Sequence, residues 1–265
     1  MCWKKSLFLL ILLVLSLSHS AGCSTELGMV SVFAATGSKP AIDEVCQNFE
    51  EKHGVNVQVS YGGGGEILNQ MVLAKSGDVY IAPEQNFMRI AKEKGAIKPK
   101  TVMTMAYMIP VIAVREGNPK GVHSLADMAR PGIRVAITRR ETTLLGRYSP
   151  EIFQQSGFGD AIDKNIVTHA PHPHGLLTML VMGQVDAGIL WHFFESLAPD
   201  KIETVFMSPE QLTGIGEMQI AVSAYSKETE LAQQFVDFAT SSEGKTIFKR
   251  HGYIVDTEEV KRYWK

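Results

Sequence analysis

The feature that most constrains this chain is a repeated unit: an apolar strand, a turn rich in Gly, Ser or Thr, and then a helix. Met29-Val30-Ser31-Val32-Phe33-Ala34-Ala35 is apolar at nearly every position, as a strand buried on both faces would be. Thr36-Gly37-Ser38-Lys39-Pro40 follows it, with Pro40 suited to a first helical position and Ser38 or Lys39 where a cap would sit. The second unit runs from Val55 to Ser60, through Tyr61-Gly62-Gly63-Gly64-Gly65-Glu66, into a helix over Ile67 to Lys75. Asp78 to Ala82 and the helix that starts at Pro83-Glu84-Gln85, with acid in its first turn, make a third. Such a succession predicts a parallel, doubly wound sheet, in which ligands sit beyond the carboxyl ends of the strands.

Both glycine-bearing turns fall at those ends. Four glycines expose backbone, permit positive φ, and let an anion approach the free N–H groups of a helix N-terminus. The run lacks the Lys of a phosphate loop and ends in Glu66, so a plain strand-to-helix turn explains it equally well.

The pattern then starts again. Val102 to Val114 is strand-like, followed by the turn Glu116 to Gly121. Strand signals at Ile133–Ile137, 165–169 and 187–190 alternate with helical ones over 152–158 and 176–183, and Glu217 to Ala224 is strand-like. From Lys227 the apolar residues fall at helical spacing. No flexible tether separates the halves, so the expected architecture is α/β with two lobes, each a doubly wound, mostly parallel sheet, and a ligand cleft between them. The expected boundaries are 1–22 as a signal segment, 23–108 plus 224–265 as lobe one, and 109–223 as lobe two.

Composition narrows the partners. The 265 residues are 45% apolar and 20% charged, with a formal net charge of −2, enough for ordinary cores and without the basic stripe that nucleic acid requires. Met1 to Lys5 is a short basic region, and Ser6 to Leu17 is an apolar run too short to span a membrane comfortably. Ser20-Ala21-Gly22-Cys23 follows and resembles a lipoprotein cleavage box, with Ser20 where Leu is usual; the expectation is export, with lipidation at Cys23 as the sole membrane attachment. Cys46 is then the one cysteine of the folded body, so no disulfide within that body is expected.

Val32 to Ser38, the glycine turn after Tyr61, Asp78 to Met88, Gly183 to Trp191 and Ser242 to Phe248 together resemble the periplasmic molybdate-binding proteins of ABC importers. The resemblance runs in order through almost all of the mature chain. It implies a type II periplasmic-binding fold and a small inorganic ion, most simply molybdate or tungstate, held between two lobes. It also implies delivery to a permease with its ATPase; the chain is expected to act as a monomer, without cofactor or catalysis. The residues at the family's ligand positions are Thr36, Gly37, Ser38, Gly63, Gly64, Gly65, Glu66, Glu141, Thr142, Pro173, His174 and Trp191.

Several depart from the family's pattern. Gly37 stands where Ser is usual, the second loop lacks its serines, Pro173 has no N–H to offer, and Trp191 replaces a Tyr hydroxyl. Glu66, Glu141, His172, His174 and His192 bring acceptors instead, which opens a second reading as a transition-metal receptor on the same scaffold. Solvated loop histidines explain His169, His172 and His174 as well, and Arg139-Arg140-Glu141 reads as a solvated charge cluster. A secreted hydrolase or adhesin-like module is the remaining class. No G-x-S-x-G, H-E-x-x-H or Walker sequence supports an enzyme.

Overall fold

The computed structural model describes residues 28–264. The signal segment and Cys23 lie outside the described residues. The first half runs β1 (Met29–Ala35), α1 (Lys39–His53), β2 (Asn56–Gly62), α2 (Gly64–Ala74), β3 (Val79–Ala82), α3 (Gln85–Glu93) and β4 (Met103–Met108). The second runs β5 (Pro110–Arg115), α4 (Leu125–Met128), β6 (Val135–Thr138), α5 (Leu144–Gln155), α6 (Gly159–Asp163), β7 (Ile166–Ala170), α7 (Pro173–Val181), β8 (Ala187–Trp191), α8 (Phe194–Leu197) and β9 (Ile202–Phe206). The chain then adds β10 (Gly216–Val222), α9 (Thr229–Thr240), α10 (Ser242–Arg250) and α11 (Thr257–Val260).

These strands form two five-stranded sheets, β2-β1-β3-β10-β4 and β7-β6-β8-β5-β9. In the first, β2, β1 and β3 are parallel and β10 runs against both β3 and β4. In the second, β7, β6 and β8 are parallel and β5 runs against both β8 and β9. Each sheet therefore has a single reversed strand, and that strand is the one delivered from the other lobe. The fold is the α/β two-lobe, type II periplasmic-binding architecture.

The strand-like stretch 102–114 is two strands in different sheets, broken at Ile109, which is fully buried between them. The expected lobe boundary at 223/224 is corrected for one strand, because β10 pairs with β3 and β4 and so lies in the first sheet. Its apolar, alternating pattern suits either sheet, and nothing local to it records the partner.

The crossing decides where the cleft lies. With one residue between the end of β4 and the start of β5, the carboxyl edges of the two sheets have to abut. Register agrees: Pro110 pairs with Trp191 at the end of β8, and Gly216 pairs with Met108 at the end of β4. One apolar core runs through both lobes past Met105, Ile109, Ile112, Trp191 and Ile215. A second, under α2 and α3, covers the other face of the first sheet with Phe33, Ile67, Met71, Tyr80 and Met88. Cys46 is buried and free, and burial pushes its thiol up to about 12.

Candidate functional site

On lobe one, Ala35 pairs with Gly62, so the two turns leave the sheet side by side. Thr36–Ser38 forms a turn of 3-10 helix leading into α1. Thr36 is exposed and Gly37 half-buried, while Ser38 is buried, next to the hydroxyl of Tyr253. That phenol is buried too and has no hydrogen-bond partner of good geometry.

The tetraglycine turn differs from its expectation. None of its glycines has positive φ: Gly62 ends β2, Gly63 has φ −64° and ψ 152°, and Gly64 and Gly65 are already helical. Only Gly64 requires the absence of Cβ, since one there would lie 2.7 Å from the ring of Phe87 and 2.9 Å from Pro83 Cγ. At Gly62, Gly63 and Gly65 a Cβ would meet ordinary contacts of 3.4 Å or more. Close packing of the loop after β3 thus explains the central glycine without a ligand. Glu66 Oε2 accepts a hydrogen bond from Gly63 N at 3.2 Å, placing the chain's own carboxylate at the start of α2. The N–H groups of Gly64 and Gly65 are in the first helical turn, where no intrahelical acceptor reaches them.

Lobe two faces these turns with groups that are already engaged. Thr142 donates its hydroxyl to the carbonyl of Pro171 at 2.9 Å, tying together the loops after β6 and β7. Thr143 caps α5 by accepting from Gly146 N at 2.9 Å and shares a 2.7 Å hydrogen bond with Thr138. His172 caps α7, its Nδ1 accepting from Gly175 N at 3.1 Å, and Pro173 occupies the first helical position. Glu141 is exposed and lines an open notch of about 400 Å³ with Arg139, Arg140 and His169. Trp191 is buried, its ring against Gly216, where a Cβ would come within 3.0 Å.

The lobes meet across the expected site. The ring of His174 lies over Gly37, with Cε1 3.3 Å from where a Cβ would be, and it packs edge-on against Phe194 at 5.0 Å. Burial, and secondarily the neighbouring His172, holds the His174 imidazole below its usual range. Phe193 stacks on Tyr253 at 4.2 Å. Glu84, absent from the expected set, is buried in this seam and accepts from Leu144 N, the first residue of α5, at 3.1 Å. The signal for it was positional: it follows β3 as the glycine turns follow β1 and β2, although its sequence context reads as a helix-start acid.

The five residues of the metal reading do not come together. Glu66 caps its own helix, His172 caps α7, and Glu141 points its loop into the notch on lobe two. His192 clasps the crossing residue: its ring Nδ1 accepts from Ile109 N at 3.0 Å and its backbone N–H donates to Ile109 O at 2.9 Å. Burial lowers its pKa to about 4, so the ring is neutral. Among the described residues no group of three or more His, Cys, Asp or Glu side chains is arranged to hold a metal ion.

Known proteins resemble the chain over most of its length. The molybdate-binding protein ModA of Mycobacterium tuberculosis is 26% identical to this chain over 89% of its length and 88% of the relative's. ModA of Escherichia coli is 22% identical, with 91% and 95% covered. The periplasmic molybdate-binding protein of Azotobacter vinelandii superposes with a TM-score of 0.72 at 19% identity, covering 86% of this chain and all of that one. The family description "bacterial extracellular solute-binding protein" matches residues 30–254, and the chain belongs to that family.

Proposed function

We propose that the protein captures a small tetrahedral oxyanion of the molybdate or tungstate type between its lobes and presents it to an ABC permease and its ATPase. The observation that carries this reading is the pair of adjacent turns, 36–38 and 63–65, opening on a seam opposite His174. Helix-start N–H groups and the exposed Thr36 hydroxyl are donors, which is what a fully ionised oxyanion needs and a cation cannot use. The similarity to molybdate-binding relatives favours the same ligand class.

Within this reading the ion lands first on lobe one, on the turn N–H groups and Thr36. Closure then brings His174, Trp191 and the loop of Glu141 and Thr142 over it. Ser38 serves from below, through Tyr253, and Pro173 only shapes the wall. Glu66, by filling one end of α2 with negative charge, limits how much anion charge that turn accepts. The protein is an exported receptor, monomeric and without catalytic function, anchored to the membrane by a lipid on Cys23. Mass spectrometry of the mature N-terminus tests the anchor; an unmodified terminus other than Cys23 would remove it.

Isothermal calorimetry against molybdate, tungstate, sulfate, and Fe, Zn, Ni and Co ions tests the ligand class. Tight binding of an oxyanion that survives Glu66→Gln supports the proposal. Heat with a metal ion alone, abolished by Glu66→Gln or His172→Ala, would replace it with the cation reading.

A further inference from the structure

Glu84 sits on lobe one in the short turn between β3 and α3, 6% exposed, at the seam the lobes make with each other. Its Oε2 accepts from Leu144 N at the start of α5 on lobe two, and the indole of Trp191, at the end of β8, lies within hydrogen-bonding reach. It makes no ion pair among the described residues. Arg147 attracts it at longer range from α5, and Tyr148 of the same helix lies close enough to feel its charge. One contact further out, Glu151 of α5 and Glu217 of β10 act on Tyr148. A carboxylate enclosed without a cation carries a desolvation penalty that two neutral donors offset only in part. When the lobes part, Glu84 loses both donors and regains water.

We propose that Glu84 is the positioning residue that sets how readily the lobes close: the seam encloses it without an ionic partner, so closure takes up a proton there and weakens as the medium becomes more alkaline. The inference rests on the reading of the two lobes as a closing receptor.

Burial, opposed by the Leu144 bond, Arg147 and Trp191, lifts the carboxyl in the closed form to about 7. An open, hydrated glutamate titrates near ~4.3. The closed state therefore holds more protons than the open state between those values, and linkage makes the closure constant fall as pH rises, by up to about tenfold per unit. The loss is complete above the closed-state value and absent below the open-state one. His174 titrates in the opposite sense: its pKa is depressed on burial, so protonation opposes closure in acid.

The test uses the mature ligand-free protein and three variants: Glu84→Gln, Glu84→Asp and Glu84→Ala. Radius of gyration by small-angle X-ray scattering, with the fluorescence of Trp191 in a Trp264→Phe background, is followed from pH 5.5 to 8.5. The wild type is expected to expand as pH rises; Glu84→Gln, neutral and of the same shape, stays compact and flat. Glu84→Asp keeps the pH slope but is more open throughout, because its reach to Leu144 N is shorter. Should the Gln variant not fold, wild type against the Asp variant decides. A pH-independent wild type, or variants that superpose on it, overturns the proposal.

Molybdate titrations across the same range separate this inference from the ligand assignment. A wild-type affinity that falls with rising pH while Glu84→Gln is level supports both. Molybdate binding with no pH difference between them defeats the role of Glu84 and leaves the oxyanion reading standing. A pH-dependent expansion abolished in Glu84→Gln, with no molybdate bound, does the reverse.

Discussion

The two sides of the seam use one motif, a strand end followed by a helix start, yet they dispose of their polar groups differently. On lobe one Thr36 is exposed and the first-turn N–H groups of Gly64 and Gly65 have no intrahelical acceptor, with only Gly63 engaged by a nearby carboxylate. On lobe two Thr142, Thr143 and His172 are each bound within their own lobe, and Pro173 has nothing to donate. Under the proposed function the difference divides labour: one side receives the ion, and the other closes as a lid whose internal hydrogen bonds fix its shape beforehand.

The strongest way to break that division is Thr36→Ala. A hydroxyl donating to an ionised oxygen contributes about 1.5–3 kcal/mol, so molybdate should bind roughly tenfold to a hundredfold more weakly by calorimetry, whereas Thr142→Ala changes affinity by less than about threefold. Equal losses at both positions would make the lid a donor surface as well.

Next in size is a test of the glycines themselves. Gly64→Ala drives a Cβ into Phe87 and Pro83 and should lower stability by about 1–3 kcal/mol in urea unfolding. Gly65→Ala, with its nearest contact at 3.6 Å inside a helix, should be neutral or stabilising by up to ~1 kcal/mol. A reversed order would show that ligand approach, and not packing, set the glycine run.

His172→Ala removes the cap of α7 and should cost about 0.5–2 kcal/mol of thermal or urea stability while leaving oxyanion affinity intact. Loss of affinity without loss of stability would return this histidine to the ligand set. Smallest is Glu66→Gln, for which a few tenths of a kcal/mol in α2 stability and unchanged or slightly tighter molybdate binding are expected. Weaker binding would contradict the idea that this carboxylate opposes the anion.

The repeated strand-turn-helix units made the α/β class and the position of the turns readable before any coordinates, because periodicity and glycine placement are local properties. Pairing across the molecule was not. Whether Gly216–Val222 joins the first or the second sheet depends on partners more than a hundred residues away, and the same alternation serves both. The glycine run marked the turn between β2 and α2, but not what demands glycine there: φ is ordinary throughout, and the demand comes from Phe87, distant in sequence. His192 looked like a free ligand because sequence cannot show that its ring holds a backbone amide at Ile109. Glu84 was visible as a letter and invisible as a buried charge, since burial belongs to the assembled seam.

The reversed strand β10 has a consequence for biogenesis. The first sheet lacks its fourth strand in spatial order until residues 216–222 have been made, after every strand of the second sheet, and without it β3 keeps a bare edge and β4 has no neighbour. The half that begins first during synthesis is thus completed last. A fragment ending at Met108 would present an open, apolar sheet margin prone to self-association. Any chain of this design that crosses a membrane benefits from staying unfolded until its full length is across.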